Sequence, residues 1–355
     1  MPAPGPSRAF QLAAHVAGGP AVDASGVDPG ALLQVLRRHK LLAHAQHVGG
    51  LMEAQRELLK PSWRAGTAAN LAQASERDRV IAALHADYIP CIAYKGVVLQ
   101  EWLHGRVDGR DSEDLDLWVP PLLFRRTCRW AVADGYTLAF DLTLDDLNAR
   151  ELPSELLLFH PSGMHLDVHQ RFFASHYALD AVEDWFEQYV PWLDEQSPVE
   201  IARFDDLATA FMVVLTAGKD CWATLRHLSD VALALERVDP VALADLADRT
   251  HTRGILDIGA QLAARHLGRC TGWVAKFPVP DGADAALLHE GELPLVQRAR
   301  IYLSARERRR DRLAYAARLP FKVSALDLKG GPVPMPRTAR RLVRLVRTRG
   351  PFAGT

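Results

Sequence analysis

Cysteine is scarce in this sequence, and its few residues are widely spaced: Cys91, Cys128, Cys221 and Cys270. No two of them form a Cys-x-x-Cys pair, so the spacing predicts buried free thiols rather than a disulfide framework. Apolar runs are also short, and none approaches the ~20 residues that a transmembrane helix needs. The first 30 residues lack a charged segment followed by a long apolar core, so we expect no signal peptide and a cytoplasmic protein.

An excess of charge of either sign is missing as well. The 42 Lys and Arg residues nearly balance the 43 Asp and Glu residues, which leaves a formal net charge of -1. Overall charge therefore does not indicate nucleic-acid binding. The segment from Arg298 to Arg349 is nevertheless rich in arginine, and it predicts basic helices with a solvated face, or docking onto an acidic partner, anionic lipid or nucleic acid. Aromatic residues are rare there, which argues against stacking on single-stranded RNA.

The hydrophobic pattern changes along the chain from helical to strand-like and back to helical. We expect an α+β protein, in which helical regions at both ends flank a small mixed sheet. Pro61 predicts a helix boundary. The predicted divisions are a flexible tail (1–30), a helical region (31–87), a sheet region (88–175), a helical domain (176–295) and a basic helical region (296–355).

Two aspartates lie two residues apart in the apolar segment from Asp114 to Val119. Alternate residues of a strand point to the same side, so Asp114 and Asp116 share a face. Asp167 lies in the strand predicted to end at His169, at a position that alternation places on the corresponding face. Neighbouring carboxylates repel one another unless a cation lies between them, and hard divalent ions prefer oxygen ligands. These three aspartates are the candidate metal ligands, for Mg²⁺ or Mn²⁺.

Upstream, Lys95-Gly96 ends an apolar run, and Arg110 precedes the acidic pair. A strand-to-helix turn of this kind can hold phosphates, with glycine allowing close approach and Lys or Arg supplying positive charge. Lys95, Gly96 and Arg110 are therefore the candidate nucleotide-binding residues.

The order of these motifs resembles the nucleotidyltransferases of the DNA polymerase β superfamily. The sequence is more similar to a bacterial family described as uncharacterised nucleotidyltransferases, over roughly residues 90 to 235. The matching elements are Lys95-Gly96, Arg110 to Asp116, Gly135-Tyr136, the hairpin from Leu158 to His169, and Leu225 to Asp230. The resemblance implies a minimal nucleotidyltransferase palm. It also implies that Asp114, Asp116 and Asp167 are catalytic residues that bind two metal ions.

On this resemblance we expect transfer of an NMP group from an NTP such as ATP to an acceptor that the sequence does not identify. Val97 follows Gly96, where the superfamily usually has Gly or Ser. This difference leaves a second hypothesis open, namely a nucleotide- or partner-binding module without turnover. A third is a metal-dependent hydrolase that uses His165, Asp167 and His169, although these histidines could instead orient the carboxylates.

Overall fold

The computed structural model describes residues 6–148, 152–189, 204–289 and 293–319. The described helices, in chain order, are α1 (Arg8–Val16), α2 (Pro29–Arg38), α3 (Leu42–Gln46), α4 (Glu53–Ala86), α5 (Gly96–His104), α6 (Phe124–Ala133), α7 (Asp180–Tyr189), α8 (Asp206–Lys219), α9 (Leu225–Arg237), α10 (Pro240–Arg249), α11 (Arg253–Leu267), α12 (Ala283–Leu288), α13 (Leu295–Ser304) and α14 (Arg309–Arg318). The strands are β1 (Ile92–Ala93), β2 (Leu115–Trp118), β3 (Thr137–Leu138), β4 (Glu155–Phe159) and β5 (His165–His169).

The strands form one mixed sheet in the order β1-β2-β5-β4-β3. Strands β2 and β5 are parallel, whereas the other neighbouring pairs are antiparallel. Leu115 and Leu117 of β2 face Leu166 and Val168 of β5, and all four side chains are buried. The predicted α+β class with a small mixed sheet and flanking helices is confirmed.

The chain divides into two compact units, each of which combines separate segments. Unit 1 contains the described residues of 1–72, 97–112 and 205–307, and unit 2 contains those of 73–96, 113–204 and 308–355. Unit 2 holds the whole sheet. In unit 1, helices α8, α9 and α11 pack on one another. The predicted divisions are each continuous in sequence. Each compact unit instead combines separate segments, because helices that are distant in the chain pack in one core.

The prediction of a flexible tail over residues 1–30 is wrong for residues 8–16, which form α1. The Ser7 side chain accepts a hydrogen bond from the Phe10 amide and caps the helix, and Phe10, Leu12 and Val16 are buried. Burial of this face stabilises a segment whose Ala, Gly and Pro content is typical of a loop.

Pro61 also differs from expectation, because it lies inside the 34-residue helix α4. Its side chain is exposed, where water can satisfy the carbonyl that loses its amide partner. The part of the predicted basic helical region (296–355) that follows residue 319 lies outside the described residues. No helix in the described part of the chain is long and apolar enough to cross a membrane. The cysteine prediction is confirmed for three thiols, since Cys91, Cys128 and Cys221 are free and buried.

Candidate active site

The parallel pairing of β2 and β5 places two of the predicted aspartates side by side. Asp116 is in register with Asp167, and His169 is in register with Trp118. Asp114 precedes the first residue of β2 and is half-buried, whereas Asp116 is 4 % exposed. The sequence separates the two strands by about fifty residues, so the sheet brings together carboxylates that are distant in the chain.

Two cationic side chains contact Asp116 on the same oxygen. The Lys95 ammonium lies 2.9 Å from Oδ1, and His169 Nε2 lies 3.0 Å from it. Burial alone would raise the pKa of the Asp116 carboxyl, but Lys95 and His169 hold it well below its usual range. Asp116 is therefore ionised at neutral pH.

The imidazole of His169 lies between two carboxylates. Its Nε2 is also 3.3 Å from Asp167 Oδ2. Burial would lower the pKa of His169, but the charge of Asp167 and the hydrogen bonds to both aspartates outweigh it and raise the pKa to about 10. His169 is therefore an imidazolium at neutral pH in this structure.

Asp167 and Asp114 are the weaker acids of the cluster. Burial raises the pKa of Asp167, and the negative charge of Asp116, followed by burial, raises the pKa of Asp114 to about 6. Asp167 Oδ1 is buried and has no hydrogen-bond partner among the described residues. An oxygen of this kind is costly to bury alone, which makes it a candidate ligand atom.

Sequence reasoning missed Glu155 and Tyr94 as members of this cluster. The Glu155 carboxylate lies 3.4 Å from His169 Nδ1, and the Tyr94 ring packs edge-on against His169 at 5.4 Å between centroids. Glu155 could have been found from the predicted hairpin. A turn at Pro161 to Gly163 pairs residue 155 with residue 169, which places Glu155 beside His169. Tyr94 precedes Lys95, whose ammonium lies 4.8 Å from its ring centroid.

The Lys95-Gly96 turn separates β1 from α5. Gly96 has φ +58°, a left-handed conformation that side chains with a Cβ rarely adopt. The structure thus explains why glycine occupies this position. It places the Lys95 ammonium on Asp116, and phosphate binding by the turn stays a prediction.

Arg110, the third predicted phosphate contact, is buried in unit 1. Its Nε donates to Asp230 Oδ2 at 3.0 Å, and Asp230 is also buried. Its role in nucleotide binding stays a prediction. His165 lies in β5 with its ring against Phe159, at 4.8 Å between centroids. It does not join the cluster of Asp116, Asp167 and His169, whose candidate ligand atoms lie within 4.8 Å of one another.

The donor set fits a hard divalent cation, the metal that the nucleotidyltransferase resemblance implies. Carboxylate oxygens are the ligands that Mg²⁺ prefers, and Asp167 offers an unpartnered one. Four interacting carboxylates, those of Asp114, Asp116, Glu155 and Asp167, face the cations of Lys95 and His169. When all six groups are ionised, the four carboxylates and two cations leave two negative charges in excess. One divalent ion would balance them.

A family model described as "Uncharacterised nucleotidyltransferase" matches residues 25–268, which include every residue of the acidic cluster. No curated protein and no solved structure gives a match. The matched segment covers more than half of the chain, and on that basis the chain belongs to the uncharacterised nucleotidyltransferase family.

Proposed function

We propose that this protein is a Mg²⁺-dependent nucleotidyltransferase that moves an NMP group from an NTP to an acceptor nucleophile. The observation that supports it most strongly is the pairing of Asp116 with Asp167 across parallel strands, with Asp114 two residues upstream. Family membership supports the general reaction, and the donor set supports the metal. Mn²⁺ is an alternative ion with similar ligand preferences.

Asp114, Asp116 and Asp167 would hold the metal. When bound, Mg²⁺ would supply a positive charge that stabilises the negative charge of the reacting phosphates. Asp167 would also accept the proton of the acceptor hydroxyl, because burial raises its pKa and makes it a stronger base than an exposed aspartate. Asp116, whose pKa is low, would stay ionised and serve only as a ligand.

Lys95 and Gly96 would hold the phosphates. The left-handed turn at Gly96 has no Cβ, so a phosphate oxygen can approach the backbone closely. Lys95 now neutralises Asp116, and it would turn from that carboxylate to a phosphate when the metal takes over its role.

A metal-dependent hydrolase is a second candidate, supported by the imidazole in the group formed by Asp116, Asp167 and His169. A site of this mixed type would favour a transition metal over Mg²⁺. His165, which this hypothesis needs as another ligand, lies against Phe159 instead. The carboxylate-rich composition of the cluster therefore favours the transferase.

The test is transfer of label from α-³²P-NTPs to candidate acceptors, with pyrophosphate release measured in parallel. Asp116→Asn and Asp167→Asn should each lower the rate by at least about 100-fold, since each removes a ligand of the ion that would stabilise the charge on the reacting phosphates. Asp134→Asn is the matched control, because this aspartate belongs to unit 2 but pairs with Arg79 away from the cluster. Wild-type protein that neither binds Mg-NTP in calorimetry nor exceeds Asp116→Asn in turnover would refute the proposal. Activity with Zn²⁺ alone, on a hydrolytic substrate, would select the second candidate.

A further inference from the structure

A second cluster of side chains that could hold a metal lies in unit 1 and shares no residue with the acidic cluster of unit 2. It consists of His44 in α3, His104 at the end of α5 and Asp230 in α9. Each offers one ligand atom, and these atoms lie within 4.8 Å of one another. His44 is 7 % exposed and Asp230 is 4 % exposed. The three residues come from distant parts of the chain, so the helix packing alone brings them together.

Four polar atoms of this cluster have no hydrogen-bond partner within the described part of the protein. They are Nδ1 and Nε2 of His44, Nε2 of His104 and Oδ1 of Asp230, and all four are buried. A buried core histidine normally has a hydrogen bond on at least one ring nitrogen. Here one ligand atom from each of three residues with unpartnered polar atoms lies within 4.8 Å of the others, which indicates a bound group that satisfies the three residues together.

The protonation states match those of metal ligands. Burial lowers the pKa of His44 to about 3, and it lowers that of His104 as well. Burial would raise the pKa of Asp230, but Arg110 and Arg226 hold it below its usual range. Both imidazoles are thus neutral and the carboxylate is ionised at neutral pH, as coordination requires.

The surroundings hold the ligands in place. Asp230 Oδ2 accepts the hydrogen bond from Arg110, which leaves Oδ1 available. The Asp111 carboxylate accepts the amides of Leu42 and Ala43 and so fixes the start of α3. A ligating carboxylate with a hydrogen bond on its other oxygen is the usual arrangement in metal sites.

The same surroundings discriminate between metals. Arg110 and Arg226 both act on Asp230, and their positive charges oppose any divalent ion, so an ion held mainly by charge, such as Mg²⁺, gains too little from a single carboxylate. Imidazole nitrogen instead suits zinc and ferrous iron, which bind nitrogen donors strongly. Tetrahedral zinc with bonds of about 2.0–2.1 Å holds its ligand atoms about 3.4 Å apart, so small side-chain rotations would close the cluster.

We propose that His44, His104 and Asp230 bind one divalent transition metal ion through two imidazole nitrogens and one carboxylate oxygen. The ion links α3, α5 and α9 within unit 1, with water at its fourth position. It is chemically distinct from the carboxylate-rich cluster of unit 2, which selects a hard cation.

The experiment measures zinc in the Asp116→Asn/Asp167→Asn double variant, in which the acidic cluster is disabled. After incubation with zinc and removal of the excess, this variant should retain about one zinc per chain. Adding His44→Gln or His104→Gln should weaken zinc affinity by more than about 100-fold, as loss of a direct ligand does. His15→Gln is the control, because this histidine of unit 1 bonds Gly19 O outside the cluster. The variant with the His15→Gln control substitution should retain its zinc.

A second measurement does not depend on whether the histidine variants fold. Zinc-edge X-ray absorption of the same double variant should show two imidazoles and oxygen at about 2.0–2.1 Å. Metal analysis of protein purified without added metal then distinguishes zinc from iron. Zinc content that disappears in the double variant, or a zinc shell without imidazole, would overturn the proposal. Unchanged zinc affinity in a folded His44→Gln variant would also overturn the proposal. Water alone would then bridge the unpartnered atoms of the cluster.

Discussion

Removal of the Lys95 ammonium should destabilise the metal-free protein and at the same time strengthen its metal binding. Lys95 Nζ lies 2.9 Å from Asp116 Oδ1. The side chains of Lys95 and Asp116 are 20 % and 6 % exposed. With an effective dielectric constant of about 20, the direct attraction is about 6 kcal/mol. Loss of one partner of a buried ion pair costs about 3–5 kcal/mol, because the remaining charge stays buried.

The lower end of that range applies to Lys95→Met. His169 still contacts Asp116 at 3.0 Å after the substitution, so part of the compensation remains. We expect the free energy of unfolding in EDTA to fall by about 3 kcal/mol. Mg²⁺ would no longer displace an ammonium, and its affinity should rise about tenfold or more, which corresponds to about 1.4 kcal/mol. NTP affinity should fall, since the phosphates lose a positive contact.

Urea unfolding followed by circular dichroism, with EDTA or with Mg²⁺, measures the first two effects. Calorimetry with Mg-NTP measures the third. Lys60→Met is the control, because Lys60 is 44 % exposed and pairs with Glu57 on the surface of α4. It should change stability by less than about 1 kcal/mol. A Lys95→Met variant that loses less than about 1 kcal/mol in EDTA, or that binds Mg²⁺ more weakly than wild type, would refute the reasoning.

Two further predictions concern stability. Burial raises the pKa of Glu183 to about 7 from its ordinary 4.5, so the folded protein binds this proton more tightly than the unfolded chain does. The resulting stabilisation of about 3 kcal/mol is present below pH ~4.5 and is lost as pH rises through 7. Glu183→Gln should lack this slope in urea unfolding between pH 5 and 8, and parallel curves for the two proteins would contradict it. Gly254→Ala should destabilise by about 2–4 kcal/mol, because its Cβ would lie 2.4 Å from the backbone oxygen of Ala305. Gly66→Ala, which meets nothing within 4 Å inside α4, should instead stabilise by about 0.5–1 kcal/mol, and a loss in both variants would point to a general effect of the methyl group.

The sequence was sufficient to predict the sheet class and the shared face of Asp116 and Asp167. Strand periodicity fixes which side a residue occupies, and the matching parity of Asp116 and Asp167 agrees with the observed register. The predicted strand from Asp114 to Val119 is observed from Leu115 to Trp118. These properties depend on local alternation of apolar residues, which the sequence displays directly.

Contacts between distant segments were not accessible in the same way. Nothing in the sequence around Arg110 shows that its guanidinium pairs with Asp230, 120 positions later. The convergence of His44 with both His104 and Asp230 depends on helix packing rather than on any spacing motif. Local composition also misled at α1, where burial of Phe10 and Leu12 stabilises a segment rich in loop-forming residues.

The parallel seam between β2 and β5 has a consequence for folding. The β4–β5 hairpin forms from neighbouring residues, whereas β5 must find β2 across about fifty residues of chain, which is the slower kind of contact. Docking brings the Asp167 carboxylate towards Asp116, and repulsion between them opposes the step. His169 belongs to the same hairpin and arrives with Asp167, so the hairpin carries the counter-charge that Asp116 needs. The residue that offsets part of the negative charge of the assembled cluster thus also lowers an electrostatic barrier to its assembly.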